Sequence, residues 1–345
     1  MNRSAPRPSH QALRIGVLGA ANIARQFVAA VRDCPDVQVV AVASRSADKA
    51  AAFGDALGVP RRYASYEALL ADTSLDIIYN PLPNTLHAPW SIKALDAGYH
   101  VLCEKPLAMD AAEARRMFAA AQRNDRFLLE AYPYWFQPQT RDMLELIHGG
   151  VLGRIRYVQA SFGFTMSNPV GNIRHNPDLG GGALRDAGCY ALSLIHLAMG
   201  RAPQRVRAIP RWADTGVDIA MHASLEYGDG AHAQLSCAMD VAYQRHALIV
   251  GDQGSLETEY PNHNGLPLTG QMRVRRGPGN QVPYELVTSA PGSGFRFSAE
   301  AFAQKIRAGD APALARAAQA SIDIAATLEA IAQSAATGQA VEVSG

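Results

Sequence analysis

From Leu13 onward the chain repeats one pattern: a short unbroken apolar run, a helical segment, then another apolar run. Residues 13–18, 37–43, 76–80, 100–103 and 127–132 read as strands, with helices over 23–33, 47–57, 66–71, 85–97 and 111–124 between them. Apolar runs this short suit strands buried on both faces, and their alternation with helices implies a parallel, doubly wound sheet. Asp110 and Glu113, three residues apart, form a capping box that opens the last of these helices. A sheet of this kind binds ligands outside the carboxyl ends of its strands. The residues just beyond each strand therefore carry the functional information.

The first strand runs into Gly19-Ala20-Ala21-Asn22-Ile23-Ala24. On the dinucleotide-binding fingerprint, Gly19 takes the tight turn, Ala21 the close backbone approach and Ala24 the helix–strand packing. One glycine is kept, but alanine adds only a methyl, and the free N–H groups of a helix start still attract a diphosphate. The same residues also suit a plain strand-to-helix turn. After the second strand comes Ser44-Arg45-Ser46, with Lys49 one turn into the next helix. A carboxylate here would face a ribose 2′-hydroxyl; Arg45, Lys49 and the serines instead suit a 2′-phosphate. As mere surface charges the two cations would be misplaced at a helix N-terminus. The expected cofactor is NADP(H) rather than NAD(H). Past residue 80 the chain reads Pro81-Leu82-Pro83-Asn84-Thr85-Leu86-His87, a loop stiffened by two prolines. Asn84 is expected to cap the following helix and also to contact the cofactor.

Gly98 ends that helix, residues 100–103 form a strand, and Glu104-Lys105 falls at its carboxyl end before Pro106 stops it. A lysine fixed on such a rim can point into a cofactor crevice. An isolated Lys-Pro at a strand end would simply be solvated.

At 345 residues the chain exceeds one comfortable core, so two domains are expected. Residues 1–12 form a flexible arm, 13–132 the dinucleotide-binding domain and 133–345 an α+β domain. In the latter, helices over 139–147 and 183–199 accompany strands over 155–164, 204–212, 219–227, 231–238, 246–250 and 254–259. Successive strands with tight turns imply an antiparallel sheet, helices on one face, whose other face needs a cover. From Ser298 an alanine-rich helical tail, ending near Gly338 with a last strand over 341–343, is expected to return toward the first domain. Asp186 and Tyr190 are four apart and share a helix face, and Gly181, Gly182 and Gly188 permit close backbone approach. A tyrosine phenol does acid–base work at neutral pH only where a nearby cation favours its anion. Lys105 would supply that cation. In an arbitrary helix the same pair would be a core aromatic and a surface charge. Arg174 sits in a polar loop before the glycine run, either as a substrate contact or as a solvated charge.

Several classes are excluded. A net charge of +1 leaves no basic excess for nucleic acid. Cys34, Cys103, Cys189 and Cys237 lack any CxxC pairing and read as buried free thiols. His175, His196, His222, His232 and His263 lack metal-ligand spacing, so no metal is expected. The first eleven residues lack the apolar core of a secretory signal, and no apolar run approaches the roughly 20 residues of a membrane span. A cytoplasmic protein is expected.

In order, Gly19 to Ala24, Pro81 to His87, Glu104-Lys105-Pro106 and Gly180-Gly181-Gly182-Ala183-Leu184-Arg185-Asp186-Ala187-Gly188-Cys189-Tyr190 resemble the glucose–fructose oxidoreductase / inositol dehydrogenase / rhizopine-catabolism family. Ser44-Arg45-Ser46, and tyrosine rather than histidine at position 190, look most like its NADP-dependent dihydrodiol and xylose dehydrogenase branch. The resemblance implies an α/β Rossmann domain followed by an α+β domain with a large, mostly antiparallel open sheet. It implies hydride transfer between NADP(H) and a hydroxyl-bearing carbon of a sugar, polyol or cyclic diol. Lys105, Tyr190 and Asp186 would be catalytic. Gly19, Ala21, Asn22, Ile23, Ser44, Arg45, Lys49, Pro81, Asn84, His87, Glu104 and Lys105 would bind cofactor. Arg174 and Trp135, with Asp186 and Tyr190, would meet substrate. In the stretch from Glu130 to Gln139, Trp135 and Gln137 replace the Arg and His common in the family; Trp135 suits stacking on a sugar. A homodimer or homotetramer through the second-domain sheet is also implied. Two rival expectations are a sugar–sugar oxidoreductase with retained cofactor and a non-catalytic NADP-binding regulator, the latter disfavoured by the presence of both Lys105 and Tyr190.

Overall fold

A computed structural model describes residues 11–260 and 270–344; residues 1–10 of the expected arm and His263 lie outside the described residues. The chain divides into two compact units, one of residues up to 108 with 112–133 and 293–319, the other of 109–111, 134–292 and 320 onward.

The first unit contains β1 (Leu13–Leu18), α1 (Asn22–Ala30), β2 (Val37–Ala43), α2 (Ala47–Leu57), β3 (Arg61–Tyr63), α3 (Tyr66–Leu70), β4 (Ile77–Asn80), α4 (His87–Asp96), β5 (His100–Glu104), α5 (Ala111–Arg123) and β6 (Leu128–Ala131). Its strands lie in the order β3-β2-β1-β4-β5-β6, and every neighbouring pair is parallel. All of β4 and β6 and nearly all of β1 and β5 are buried, as continuous apolar strands between helical layers require. The strand order reverses between β1 and β4, so Gly19, residues 81–87 and Lys105 all leave neighbouring strands at the crevice where such sheets bind ligands. β3 escaped the sequence reading because Arg-Arg-Tyr, only partly buried, has no apolar signature.

The second unit holds α6 (Pro138–His148), β7 (Ile155–Thr165), α7 (Cys189–Met199), β8 (Arg205–Trp212), β9 (Asp218–Glu226), β10 (His232–Ala238), β11 (Asp240–Gly251), β12 (Ser255–Glu259), β13 (Gln271–Arg275) and β14 (Glu285–Thr288). The chain ends with α8 (Gly294–Ala308), α9 (Ala311–Thr337) and β15 (Val341–Glu342). The sheet order is β14-β13-β12-β11-β7-β10-β9-β8-β15. All neighbours are antiparallel except β7 and β10, which run parallel because α7 and two strands intervene between them. α7 packs against β7, β10 and β11. Inward residues alternate with outward ones along most of β10: Ala233, Leu235 and Cys237 are buried while His232 and Gln234 are exposed. Across the outward face runs the row Ile209, His222, Ser236, Ser161 and His246, and Ile209 is 70% exposed.

The tail is two helices rather than one. Gly309, at φ +61°, ends α8, and the Asp310 carboxylate accepts the Ala313 N–H at 3.1 Å to start α9. α8 belongs to the first unit, where Phe295 meets Phe27 of α1 edge-on at 5.9 Å and Arg307 pairs with Asp36. Phe27 in turn stacks on Tyr79 of β4 at 4.1 Å.

Candidate functional site

In the first unit, Gly19 has φ +92°, and a Cβ there would lie 3.1 Å from the Leu82 side chain. Only glycine fits this turn comfortably. Ala21 precedes α1 in extended conformation and places no side chain over the helix start, which leaves the Asn22 and Ile23 amides uncapped by it. Ser46 caps α2 by accepting the Lys49 N–H at 3.3 Å, and the buried Ser44 accepts the Ser46 N–H at 3.3 Å. The Arg45 and Lys49 side chains are exposed above this cap. Burial pushes the Tyr66 phenol up, and the nearby Arg45 guanidinium opposes the push. Tyr66 itself lies 3.8 Å from the position of a Gly19 Cβ, so Arg45, Tyr66 and the Gly19 turn form one cluster.

Asn80 organises the loop beyond β4. Its amide donates to the His87 carbonyl at 3.1 Å and to Ser91 at 3.0 Å, and its oxygen accepts the Leu82 N–H at 3.3 Å. Pro81 is buried in this loop. Asn84 does not cap α4 as expected: the Leu86 N–H bonds the Pro83 carbonyl at 2.8 Å, which interposes a 3₁₀ turn and leaves Asn84 inside it. His87 also departs from expectation. The ring is 1% exposed, with Nδ1 2.8 Å from the Pro106 carbonyl and Nε2 2.7 Å from that of Leu82. Both nitrogens face main-chain carbonyls, and the neutral ring donates its single N–H to one of them; His87 thus sits between the proline loop and the segment after Lys105, and neither nitrogen is turned outward.

Burial pushes the His87 imidazole down to about 4, beside the Lys105 charge that acts in the same direction. The unfolded chain takes up this proton near 6.5 while the folded ring stays neutral, so stability is full above about pH 6.5 and falls as pH drops toward 4. The loss is on the order of 3 kcal/mol over that window. His87→Gln should flatten it, seen as a smaller difference between melting temperatures at pH 7 and pH 4.5 than in the parent protein.

Glu104 is buried at the end of β5. It accepts the Tyr79 hydroxyl at 2.6 Å and the Lys105 N–H at 3.4 Å. Glu130 on β6 accepts the Leu107 N–H at 2.8 Å. Two buried carboxylates thus hold the backbone on either side of Lys105 and Pro106, whose peptide bond is cis. The Lys105 side chain is half-buried.

In the second unit the glycine run earns its composition from two close approaches. A Cβ at Gly181 would lie 2.5 Å from the Arg174 carbonyl, and one at Gly182, where φ is +114°, would collide with the Asp218 carboxylate. Asp218 accepts the Leu184 N–H at 2.7 Å, and burial pushes its carboxyl up. These contacts seat the loop of residues 172–176 on the glycines and place Arg174 Nε 2.6 Å from Asp186 Oδ2. Arg174 is therefore not a solvated loop charge; the Asp186 carboxylate holds its guanidinium above the usual range. Asp186 lies in a wide π-helical turn, Leu184–Gly188, where the Cys189 N–H reaches the Leu184 carbonyl; a regular α-turn was expected. Gly188 lets this turn approach Cys237 of β10, 2.9 Å from the position of its missing Cβ.

Tyr190 is the second residue of α7 and is 5% exposed. Its ring packs against Phe162 at 5.6 Å and Tyr134 at 6.3 Å, and its carbonyl accepts Ser193 at 2.8 Å. Ser193 also pairs with the Tyr134 hydroxyl at 2.6 Å, so the first turns of α7 are tied to the residue before Trp135. Trp135 is half-buried in the turn Pro133–Phe136. Cys34, Cys103, Cys189 and Cys237 are buried free thiols. Among the described residues no His, Cys, Asp or Glu cluster has metal-site geometry, and no helix is long and apolar enough to cross a membrane.

Tyr66, Leu82, Asp218 and Arg245 escaped the sequence reading. The first three act across long sequence separations. Arg245 carried a local signal, since it shares the inward parity of Ala247 and Ile249.

Residues 13–132 match the GFO/IDH/MocA oxidoreductase family, NAD-binding Rossmann fold, and residues 140–257 match a GFO/IDH/MocA C-terminal domain. The chain belongs to this family. It is 38% identical over 332 residues to D-xylose 1-dehydrogenase (NADP(+)) 2 of Haloferax volcanii, an alignment that covers 96% of this chain and 100% of that relative. Among solved family structures it matches KijD10, a 3-ketoreductase from Actinomadura kijaniata in complex with NADP and TDP-benzene, at 33% identity and a TM-score of 0.85. That match covers 94% of this chain and 98% of KijD10. An aldose-aldose oxidoreductase from Caulobacter crescentus, complexed with glycerol, matches at 27% identity and a TM-score of 0.85, over 96% of this chain and 99% of that one.

Proposed function

We infer that the chain is an NADP(H)-dependent oxidoreductase acting on a CH–OH group of a sugar, a polyol or a cyclic diol. The full-length likeness to an NADP-dependent xylose dehydrogenase supports the reaction class. The observation that carries the cofactor reading is Arg45: an exposed guanidinium beside the Gly19 turn, with no carboxylate at the strand end. The residues fit the group: a turn closed to any Cβ, an uncapped helix start, and cations and serines suited to a 2′-phosphate. When bound, NADP(H) supplies or takes up the hydride. Gly19, Ala21, Asn22 and Ile23 would hold the diphosphate, Ser44, Arg45 and Lys49 the 2′-phosphate, and Pro81, Asn84 and Glu104 the nicotinamide side, with His87 bracing the loop.

In this reading Tyr190 takes or returns the hydroxyl proton at its phenolic oxygen. Lys105 holds the substrate oxygen and favours the tyrosine anion, and Asp186 orients the site through Arg174. Trp135 would pack on the substrate ring. Residues 13–132, joined by α8 from the tail, serve as the cofactor domain and most of 133–345 as the substrate domain. A homodimer or homotetramer across the outward row of the large sheet, and a cytoplasmic location consistent with four free thiols, complete the proposal. A monomer mass by sedimentation would remove its oligomeric part.

Following NADPH absorbance across aldoses, inositols and dihydrodiols tests the reading, with aldose oxidation the expected strongest activity. No activity on any of them would sink it. Cofactor found in the protein as purified, with turnover only when two sugars are present, would favour the reaction named in the Caulobacter relative. Arg45→Ala should weaken NADP+ binding roughly 10- to 100-fold, as expected for one charge-assisted contact, and leave NAD+ binding unchanged. Titration of both nucleotides by protein fluorescence measures this.

A further inference from the structure

Arg245 lies on β11 opposite Phe162 of β7, on the inward face of the sheet beneath α7. It is 6% exposed, its Nε and Nη2 are buried without hydrogen-bond partners, and among the described residues no carboxylate pairs with it. Its neighbours are rings. Cζ stands 4.4 Å from the Phe162 centroid, 4.5 Å from Tyr190, 4.8 Å from Tyr260 and 5.8 Å from Tyr134. A desolvated cation costs several kcal/mol, and aromatic faces return only part of that. Nε and Nη2 present no surface for a substrate to touch, and the guanidinium lies against the rings.

We propose that Arg245 is a positioning residue for Tyr190, whose guanidinium fixes the ring face-on and stabilises the negative charge that develops on the phenolic oxygen during proton transfer. The proposal rests on Tyr190 being the proton-transfer group. A neutral phenol offers the cation only its ring quadrupole; a phenolate, delocalised into the same ring, offers a full charge. The attraction therefore strengthens as the proton leaves, and an interaction of that kind accelerates a step rather than merely tightening a ground state. Other charged or titratable groups around Tyr190 are Asp186 and Arg174, paired with each other, Arg185 and Asp218 at the π-helical turn, the Cys189 and Cys237 thiols, and the Tyr134 and Tyr260 phenols. Burial pushes both of those phenols and the Cys237 thiol up, so they stay neutral while Tyr190 works. The ion pair of Arg174 and Asp186 is close to neutral as a unit, so within the second unit Arg245 is a cation against the ring face, acting beside the Lys105 charge that the proposed mechanism invokes.

The test compares pH profiles of kcat for oxidation of the best substrate from the panel, together with ultraviolet titration of the tyrosinate. Arg245→Met should move the ascending limb upward by roughly one to two pH units, the effect of losing one charge at about 6 Å in a medium of effective dielectric about 20. KM should change little, NADPH binding should persist, and Arg245→Lys should restore most of the limb. An unmoved limb with lower kcat, or failure of lysine to restore it, reduces Arg245 to a packing role and overturns the proposal. Arg245→Gln replaces the methionine variant should that one not fold. Tyr190→Phe separates the layers. Turnover retained in that variant overturns the role of Tyr190 and this inference with it, whereas turnover lost with the Arg245→Met limb unmoved overturns the inference alone.

Discussion

Lys105→Met should lower kcat by roughly 100- to 1,000-fold, the usual cost of removing one donor aimed at a developing charge, while NADPH binds with nearly unchanged affinity. The separation between these outcomes follows from where the residue stands. The backbone at the end of β5 is held by Glu104, by Glu130 through the Leu107 N–H, and by His87 through the Pro106 carbonyl. None of these bonds involves the lysine side chain, and methionine keeps most of its length without its charge. The Gly19 turn and Arg45, where the cofactor is proposed to bind, are also untouched. Steady-state kinetics with fluorescence titration of NADPH measures both quantities. Undiminished turnover would reject Lys105 as the cation of the site; lost NADPH binding would reassign it to the cofactor.

The parts of this molecule that were legible in the sequence are those whose physics is local. Buried parallel strands must be apolar throughout, so β1, β2, β4, β5 and β6 announce themselves, and with them the strand ends that bear Gly19, Ser44, Pro81 and Lys105. The glycine run before Tyr190 could be read as a place of close approach, but not what approaches it. Asp218 and the Arg174 carbonyl arrive through tertiary structure. His87 was expected at the cofactor only through the family resemblance of its motif; in the fold both ring nitrogens face main chain. β13 and β14 went unnoticed because they are short, the outward positions of β13 are polar or charged, and β14 buries no residue. For Arg245 the failure was one of boundaries. The apolar run begins at residue 246, whereas β11 begins at Asp240 and puts an arginine in line with Ala247 and Ile249. A charge at the inward parity of a half-buried strand was the available signal.

Tyr190→Phe tests the proton-transfer step with the smallest possible change. Phenylalanine keeps the ring that packs on Phe162 and Tyr134 and lies against Arg245, and the main-chain carbonyl still accepts Ser193. Only the oxygen is lost, from a residue whose packing is otherwise complete, so the melting temperature should stay within a few degrees of the parent. Removing a general acid–base group costs roughly 100- to 10,000-fold, and the loss should fall on kcat, with KM changed only modestly. Steady-state kinetics on the preferred substrate resolves the two parameters, and the surviving activity should lose the pH limb that Arg245 is proposed to set. A variant that kept its kcat and raised only KM would mean that the hydroxyl binds substrate without moving its proton. The proton would then have to leave through another group, and the half-buried Lys105 amine would be the first to test.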